Sequence, residues 1–271
     1  MVQMRRFALS HGFWRVQLTD WKPLKTELEI WWGEGLQLPF WWRDDDAIAP
    51  SGQLDQLLEL AGETGMPVHL AVIPHGATQE LAERLADTPL AVPVIHGFLH
   101  QNHAPDGEKK CEFGADRVQR AVRDDISNGA AKMQKLFGPN IAPMFVPPWN
   151  RFAPIHLPIL AGAGFQAIST FTPRQRPEAC AGLAQINTHI DPIDWHGTRS
   201  AHSADLLIAQ TVELLHNRRN GSQDNNEPLG FLTHHLVHDS AIWDFSVGFL
   251  ETMLVGPVSL WNAHTLKGSK T

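Results

Sequence analysis

The sequence is poor in the features that would assign it to several common classes. Tyrosine is absent, and only two cysteines, Cys111 and Cys180, occur in 271 residues. Two cysteines supply neither a disulfide framework nor a thiolate zinc site, and they fit a reducing cytoplasm. No apolar run approaches the ~18 residues that a bilayer-spanning helix needs. Basic charge is in the minority: 22 Lys and Arg stand against 29 Asp and Glu, a net charge of -7. That balance argues against nucleic acid or an anionic membrane as partner. Near the N-terminus, Arg5 and Arg6 precede Phe7-Ala8-Leu9-Ser10, but His11 interrupts before the apolar core of an export signal forms, so a cytoplasmic protein is expected.

What is present is a large apolar fraction, 43%, with 15 His and 10 Trp. A chain of this length can bury one large core. We expect a single domain over 1–271, with residues 1–35 as a helical or irregular lead-in carrying scattered Trp and 36–265 as the main body. Homo-oligomerisation is left open.

The most unusual stretch is Trp41-Trp42-Arg43-Asp44-Asp45-Asp46-Ala47, three carboxylates in a row after an aromatic run. Like charges so close raise one another's pKa unless water or a bound cation neutralises them. Leu38 to Arg43 reads as a strand ending at the triplet, followed by a helix through Leu54, Leu57, Leu58 and Ala61. The alternation repeats. Strands are predicted over 67–73, 90–95, 142–146, 165–169, 184–188 and 229–233, with a last one near 257–261. Helices are predicted from Thr78 to Leu85, over 118–137, 155–163 and 204–215, and over 242–254, and the polar run 217–226 reads as a solvated loop. Such β-α alternation implies an α/β fold with a parallel sheet, closed or open, and chemistry collects where parallel strands end.

Polar clusters sit at those ends. His96 and His100, four residues apart, would face one way on a helical turn and could ligate a metal, though in a chain with 15 His the spacing alone is weak. Pro147-Pro148-Trp149-Asn150 is a stiff turn that can present a backbone N–H or an aromatic wall. Asp191-Pro192-Ile193-Asp194-Trp195 and Leu232-Thr233-His234 follow, each unremarkable in isolation. His103, Lys109, Lys110 and Glu112 lie on a rim loop after the His pair, either solvated or in reach of a substrate.

In order and position these clusters resemble the polysaccharide deacetylases of carbohydrate esterase family four, over about residues 38–240. That family reads T-F-D-D-G, H-[ST]-x-x-H, R-P-P-Y, D-x-x-D-W and L-x-H along its chain. The resemblance implies a distorted (β/α) barrel of about seven parallel strands. It implies one divalent metal ion held by Asp46, His96 and His100, zinc first, with cobalt, nickel, iron or manganese as alternatives. Asp45 would be the general base and His234 the general acid. Trp149 and Asn150 would face substrate and oxyanion, and Arg43, Asp191, Asp194 and Trp195 would support the site. Sliding the triplet by one would instead make Asp44 the base and Asp45 the ligand; the small Ala47 after Asp46 favours the first register.

Three departures stand out. Gly97 replaces the hydroxyl residue of the second motif, Val146 replaces the Arg that braces the base, and Trp149 replaces Tyr. Arg43 or Arg151 could replace that brace, and Arg43, two residues from Asp45 and so on the same face of a strand, is the first candidate. The function expected is a metal-dependent hydrolase cleaving an N-acetyl or related amide of a small-molecule or oligosaccharide substrate. The alternative is a catalytically silent carbohydrate-binding or regulatory protein on the same barrel.

Overall fold

A computed structural model describes residues 19–268. The export-signal reading at Arg5 to His11 and the first half of the lead-in lie outside the described residues. The second half of the lead-in is helix α1 (Lys22–Gly33), started by Pro23 in its first turn. Then follow β1 (Leu38–Ala47), α2 (Gly52–Thr64), β2 (Val68–Val72), α3 (Gln79–Ala86), β3 (Ala91–His96), α4 (Gln119–Phe137), β4 (Met144–Val146), α5 (Leu157–Gly162) and β5 (Ala167–Ile168). The chain continues through β6 (Glu178–Cys180), β7 (Leu183–Gln185), α6 (Ala204–Arg219), β8 (Leu229–Thr233), α7 (Ser240–Leu254) and β9 (Val258–Leu260). Hydroxyl and carboxylate caps set several helix starts: Ser51 accepts from Leu54 N, Thr78 from Leu81 N, Ser203 from Leu206 N and Asp239 from Ile242 N.

The sheet runs in the order β6-β7-β5-β4-β3-β2-β1-β8, with β9 paired to the start of β1. Every pairing is parallel except the β6/β7 hairpin. Past β7 the chain stays extended and reaches round to β8: His189 N donates to Gly230 O at 2.8 Å, Leu232 N donates to Ile190 O at 2.8 Å, and Ile190 bridges Phe231. That seam curls the parallel strands β1, β2, β3, β4, β5, β7 and β8 into a distorted barrel. Backbones crowd at the seam, and a Cβ on Gly230 would meet Trp41 Nε1 at 2.5 Å and Asn187 O at 2.6 Å, so glycine is required there.

Both faces of the strands are covered, as expected of parallel strands. On β1 the alternation is explicit: Phe40 and Trp42 belong to the large cluster packed under the helices, whereas Trp41 belongs to a second cluster with Ala71, Val94, Met144, Val146 and Ala167. Those partners are mostly small, which leaves room for one indole in the barrel interior. At the far end the C-terminal segment plugs the barrel. Trp261 packs edge-on to Trp41 with centroids 5.3 Å apart, and Ala263 N donates to His69 Nε2 at 3.0 Å.

The structure differs from the sequence reading in several elements. α6 runs past Leu215 to Arg219, into the run 217–226 read as a solvated loop, because Arg218 is buried, and the strand predicted over 184–188 is Leu183–Gln185. β1 continues four residues further, through the acidic triplet, because both neighbours supply backbone partners as far as Asp44. The predicted strand 165–169 shrinks to Ala167–Ile168. The hairpin strand β6 was not foreseen, since Glu178-Ala179-Cys180 has no alternating pattern. Among the described residues no helix is long and apolar enough to cross a membrane.

Candidate active site

The end of β1 gives its three carboxylates three different surroundings. Asp44 is fully buried and faces β8, where it accepts from Thr233 Oγ1 at 2.6 Å and from His235 N at 2.9 Å and pairs with His235 Nδ1. Burial alone would raise this carboxyl, and the His235 imidazole outweighs it, holding Asp44 below the usual carboxylate range. Asp45 points the opposite way, onto Arg43. The guanidinium Nε lies 2.9 Å from Asp45 Oδ1, and Nη2 donates to Oδ2 at 3.0 Å. Arg43 is itself fixed by Ser169 Oγ at 2.8 Å and by the Asn150 side-chain carbonyl at 2.7 Å. Two-point contact on a carboxylate fixes its orientation.

Asp46 breaks from the strand. Its φ of 75° lies in the left-handed region, the β1/β2 register shifts between Asp44 and Ala47, and its side chain stays 35% exposed. The turn aims its carboxylate at two imidazoles: Oδ1 lies 3.1 Å from His96 Nε2 and 3.3 Å from His100 Nε2. One ligand atom from each of Asp46, His96 and His100 falls within 4.8 Å of the others, the donor set of a divalent-metal site. The orientation of His96 also fits. Its Nδ1–H donates to Val146 O at 3.0 Å, which leaves the Nε2 lone pair facing the group it would ligate. Burial opposes a charge on His96, but the Asp45 and Asp46 carboxylates outweigh it and raise its pKa.

The two imidazoles do not share a helical turn, as the sequence spacing suggested. His96 ends β3, and His100 lies in a non-helical loop, brought back by left-handed residues at Gly97 (φ 58°) and His100 (φ 56°). The loop is braced by a group that the sequence left as either solvated or in reach of a substrate. Glu112 is 0% exposed, and its carboxylate accepts from Phe98 N at 3.2 Å and Leu99 N at 2.7 Å. A Cβ on residue 97 would lie 2.2 Å from Glu112 Oε2 and 2.6 Å from the Pro148 ring. Gly97 and Glu112 are therefore a matched pair. The carboxylate fills the space that a side chain at 97 would take and supplies an acceptor to the loop.

His234 follows β8, its Nε2 3.9 Å from Asp45 Oδ2. Its ring packs edge-on against Trp195 at 4.7 Å, and Trp195 Nε1 donates to Asp191 Oδ2 at 2.8 Å. Burial raises the Asp191 carboxyl, against the lowering effect of the nearby His234. Asp194 folds the next turn, accepting from Gly197 N at 2.9 Å and Thr198 N at 3.1 Å. Trp149 and Asn150 adopt left-handed backbone, φ 54° and 56°, after the two prolines, and the Trp149 indole stands 4.5 Å from the His100 ring. Asp45, Asp46, His96, His100, Trp149, Asn150, Asp191, Asp194, Trp195 and His234 open onto one cleft of about 1240 Å³, which also receives Lys109, Lys110 and Arg199. Sequence reasoning missed His235 and Ser169, whose chemical types carry no local signal. Both matter through tertiary contact alone.

No protein-family profile matches the chain, and no curated protein matches it in sequence. Solved structures match it in fold. A Mycobacterium smegmatis protein described as a polysaccharide deacetylase aligns over 80% of this chain and 77% of its own, with a TM-score of 0.61 at 17% identity. A family 4 carbohydrate esterase from Streptomyces lividans, solved with acetate, aligns over 83% and 92% with a TM-score of 0.54 at 14% identity. A mutant of a pseudoenzyme of that family, with restored activity, aligns over 81% and 63% with a TM-score of 0.53 at 14% identity. The chain has the polysaccharide deacetylase fold. A pseudoenzyme on the same scaffold means that activity must be argued from the site itself.

Proposed function

We propose that the protein is a metal-dependent hydrolase of the polysaccharide deacetylase type, cleaving an N-acetyl or related amide C–N bond with water. One observation carries the reading: Asp46, His96 and His100 converge beside an Asp45 held in the Arg43 fork, with His234 across from it. A divalent ion, zinc first, would supply a lowered water pKa and polarise the acyl oxygen.

The remaining chemistry belongs to the chain. Asp45 accepts a proton from the attacking water, and Arg43 holds its carboxylate oriented for that purpose. His234 donates a proton to the departing amine, with Trp195 fixing the ring plane and Asp191 beside it. The backbone N–H at Trp149 supports the oxyanion as the acyl carbon becomes tetrahedral. Asn150 keeps Arg43 in place. The free thiols Cys111 and Cys180 support a cytoplasmic location.

The test combines metal analysis with acetate release from chitooligosaccharides and small N-acetyl amides. We expect one bound divalent ion, lost in Asp46→Asn and His100→Ala. In Asp45→Asn we expect turnover to fall by about 10³-fold with the metal retained. Metal-free protein without turnover dependent on Asp45 would overturn the proposal.

A further inference from the structure

The walls of the cleft repeat one arrangement on opposite sides of Asp45 and Asp46. On one side His100 packs on Trp149 with centroids 4.5 Å apart, and the Lys110 ammonium stands 5.9 Å from the same indole. On the other, His234 packs on Trp195 at 4.7 Å, and the Arg199 guanidinium stands 5.4 Å from that indole. Each wall thus runs from imidazole to indole to cation, and both cations lie within cation–π range.

Neither cation is there to neutralise the protein's own acids. Among the ion pairs of the described residues none involves Lys109, Lys110, Arg151 or Arg199, although all four line the cleft. The acid nearest Arg199 in sequence, Asp194, spends its carboxylate on the Gly197 and Thr198 N–H groups. Its carbonyl accepts from Arg199 N at 2.9 Å, and the resulting turn holds Arg199 with a left-handed φ of 59°. Opposite, Arg151 Nη1 donates to Lys110 O at 2.9 Å, anchoring the end of the loop that carries Lys110. The lining carries four cations and five carboxylates. Asp45 lies on Arg43, Asp46 against His96 and His100, Asp191 accepts from Trp195 Nε1, Asp194 accepts from the turn N–H groups, and Glu213 comes from α6, which leaves Lys110 and Arg199 without an acidic partner at the mouth.

We propose that Lys110 and Arg199 select a substrate that bears an anionic group, carboxylate or phosphate, close to the amide to be cleaved. The inference rests on the hydrolase reading for the site, but the recognition it assigns is a property of binding. The two indoles take the apolar face of the ligand, and the cations above them take its charge.

The test is equilibrium binding read by tryptophan fluorescence, which suits a chain with 10 Trp and no Tyr. N-acetylglucosamine is compared with its 1-phosphate and with N-acetylmuramic acid, with and without added zinc. Both anionic sugars should bind about tenfold tighter than the neutral one, and the advantage should shrink as salt rises. In Lys110→Met/Arg199→Met that ratio should fall toward unity. In Arg199→Glu the anionic sugars should bind more weakly than the neutral one. A preference for only one of them would identify phosphate or carboxylate as the group recognised. Equal binding of neutral and anionic sugars, or a preference indifferent to both variants, overturns the inference even if the enzyme deacetylates neutral sugar. Selective binding without turnover of any substrate leaves it standing and removes the hydrolase reading instead.

Discussion

At the scale of single residues the site depends on what fills the space around the His100 loop. Gly97 has φ 58° and no room for a Cβ, because Glu112 and Pro148 occupy that space. Gly97→Ser, which would restore the hydroxyl of the related motif, should therefore harm this chain, by about 2–3 kcal/mol from backbone strain and overpacking. Glu112→Ala should also destabilise, by about 1–3 kcal/mol, through the unsatisfied Phe98 and Leu99 N–H groups. Combined, the two should cost about 1 kcal/mol less than their sum, since the serine gains both space and an N–H to accept from. Urea unfolding of the four proteins measures the coupling, and strict additivity would refute the matched-pair account. The contrast with Arg43 shows where sequence is informative. A residue two positions from Asp45 on a strand must share its face, so the brace could be read directly. Glu112 lies on a loop 13 residues beyond Leu99, and no periodicity predicts where such a loop returns.

At the scale of elements, the seam between the extension of β7 and β8 closes the barrel, and a buried carboxylate holds it. Glu227 accepts from Asn187 N at 3.1 Å and Arg174 N at 3.0 Å, lies 3.2 Å from His189 Nε2, and faces an Arg218 whose pKa burial pulls down to about 10. Glu227→Gln would remove the countercharge in contact with that buried guanidinium and leave only Asp224, at a cost of about 3 kcal/mol. The loss should be local first: amide exchange at 187–190 and 230–232 should accelerate ahead of β2 and β3. Uniform acceleration across the sheet would contradict a seam. Continuous apolar runs made most strands legible, and hydroxyl residues before apolar periodicity made several helix starts legible. The seam was not, because 217–226 carries only solvation signals while the next residue, Glu227, does the bridging.

At the scale of the whole molecule, stability is linked to pH through His69 in the barrel interior. Burial lowers its pKa to about 4 from the ordinary 6.5, and the neutral ring is satisfied on both nitrogens: Nδ1–H donates to Trp42 O at 2.9 Å and Nε2 accepts from Ala263 N. The folded state thus binds fewer protons than the unfolded chain between those two values. Stability from this group is complete above about pH 6.5 and declines as pH falls toward 4, by about 3 kcal/mol in all. His238, lowered to about 4 by burial, acts in the same direction. Between about pH 6.5 and pH 4.5 the urea midpoint should fall less steeply in His69→Gln than in the native chain. Equal slopes would remove His69 from the linkage.

Trp41, Trp261 and Ala263 close the barrel behind the strands. A barrel stoppered at its base is a blind alley, and whatever enters past Lys110 and Arg199 must leave the same way. Under the proposed reaction the released carboxylic acid departs as an anion past two cations that have no acidic partner. Exit competes with re-entry, so accumulated acid product slows its own formation, and the doorway that favours capture also limits the pace of release.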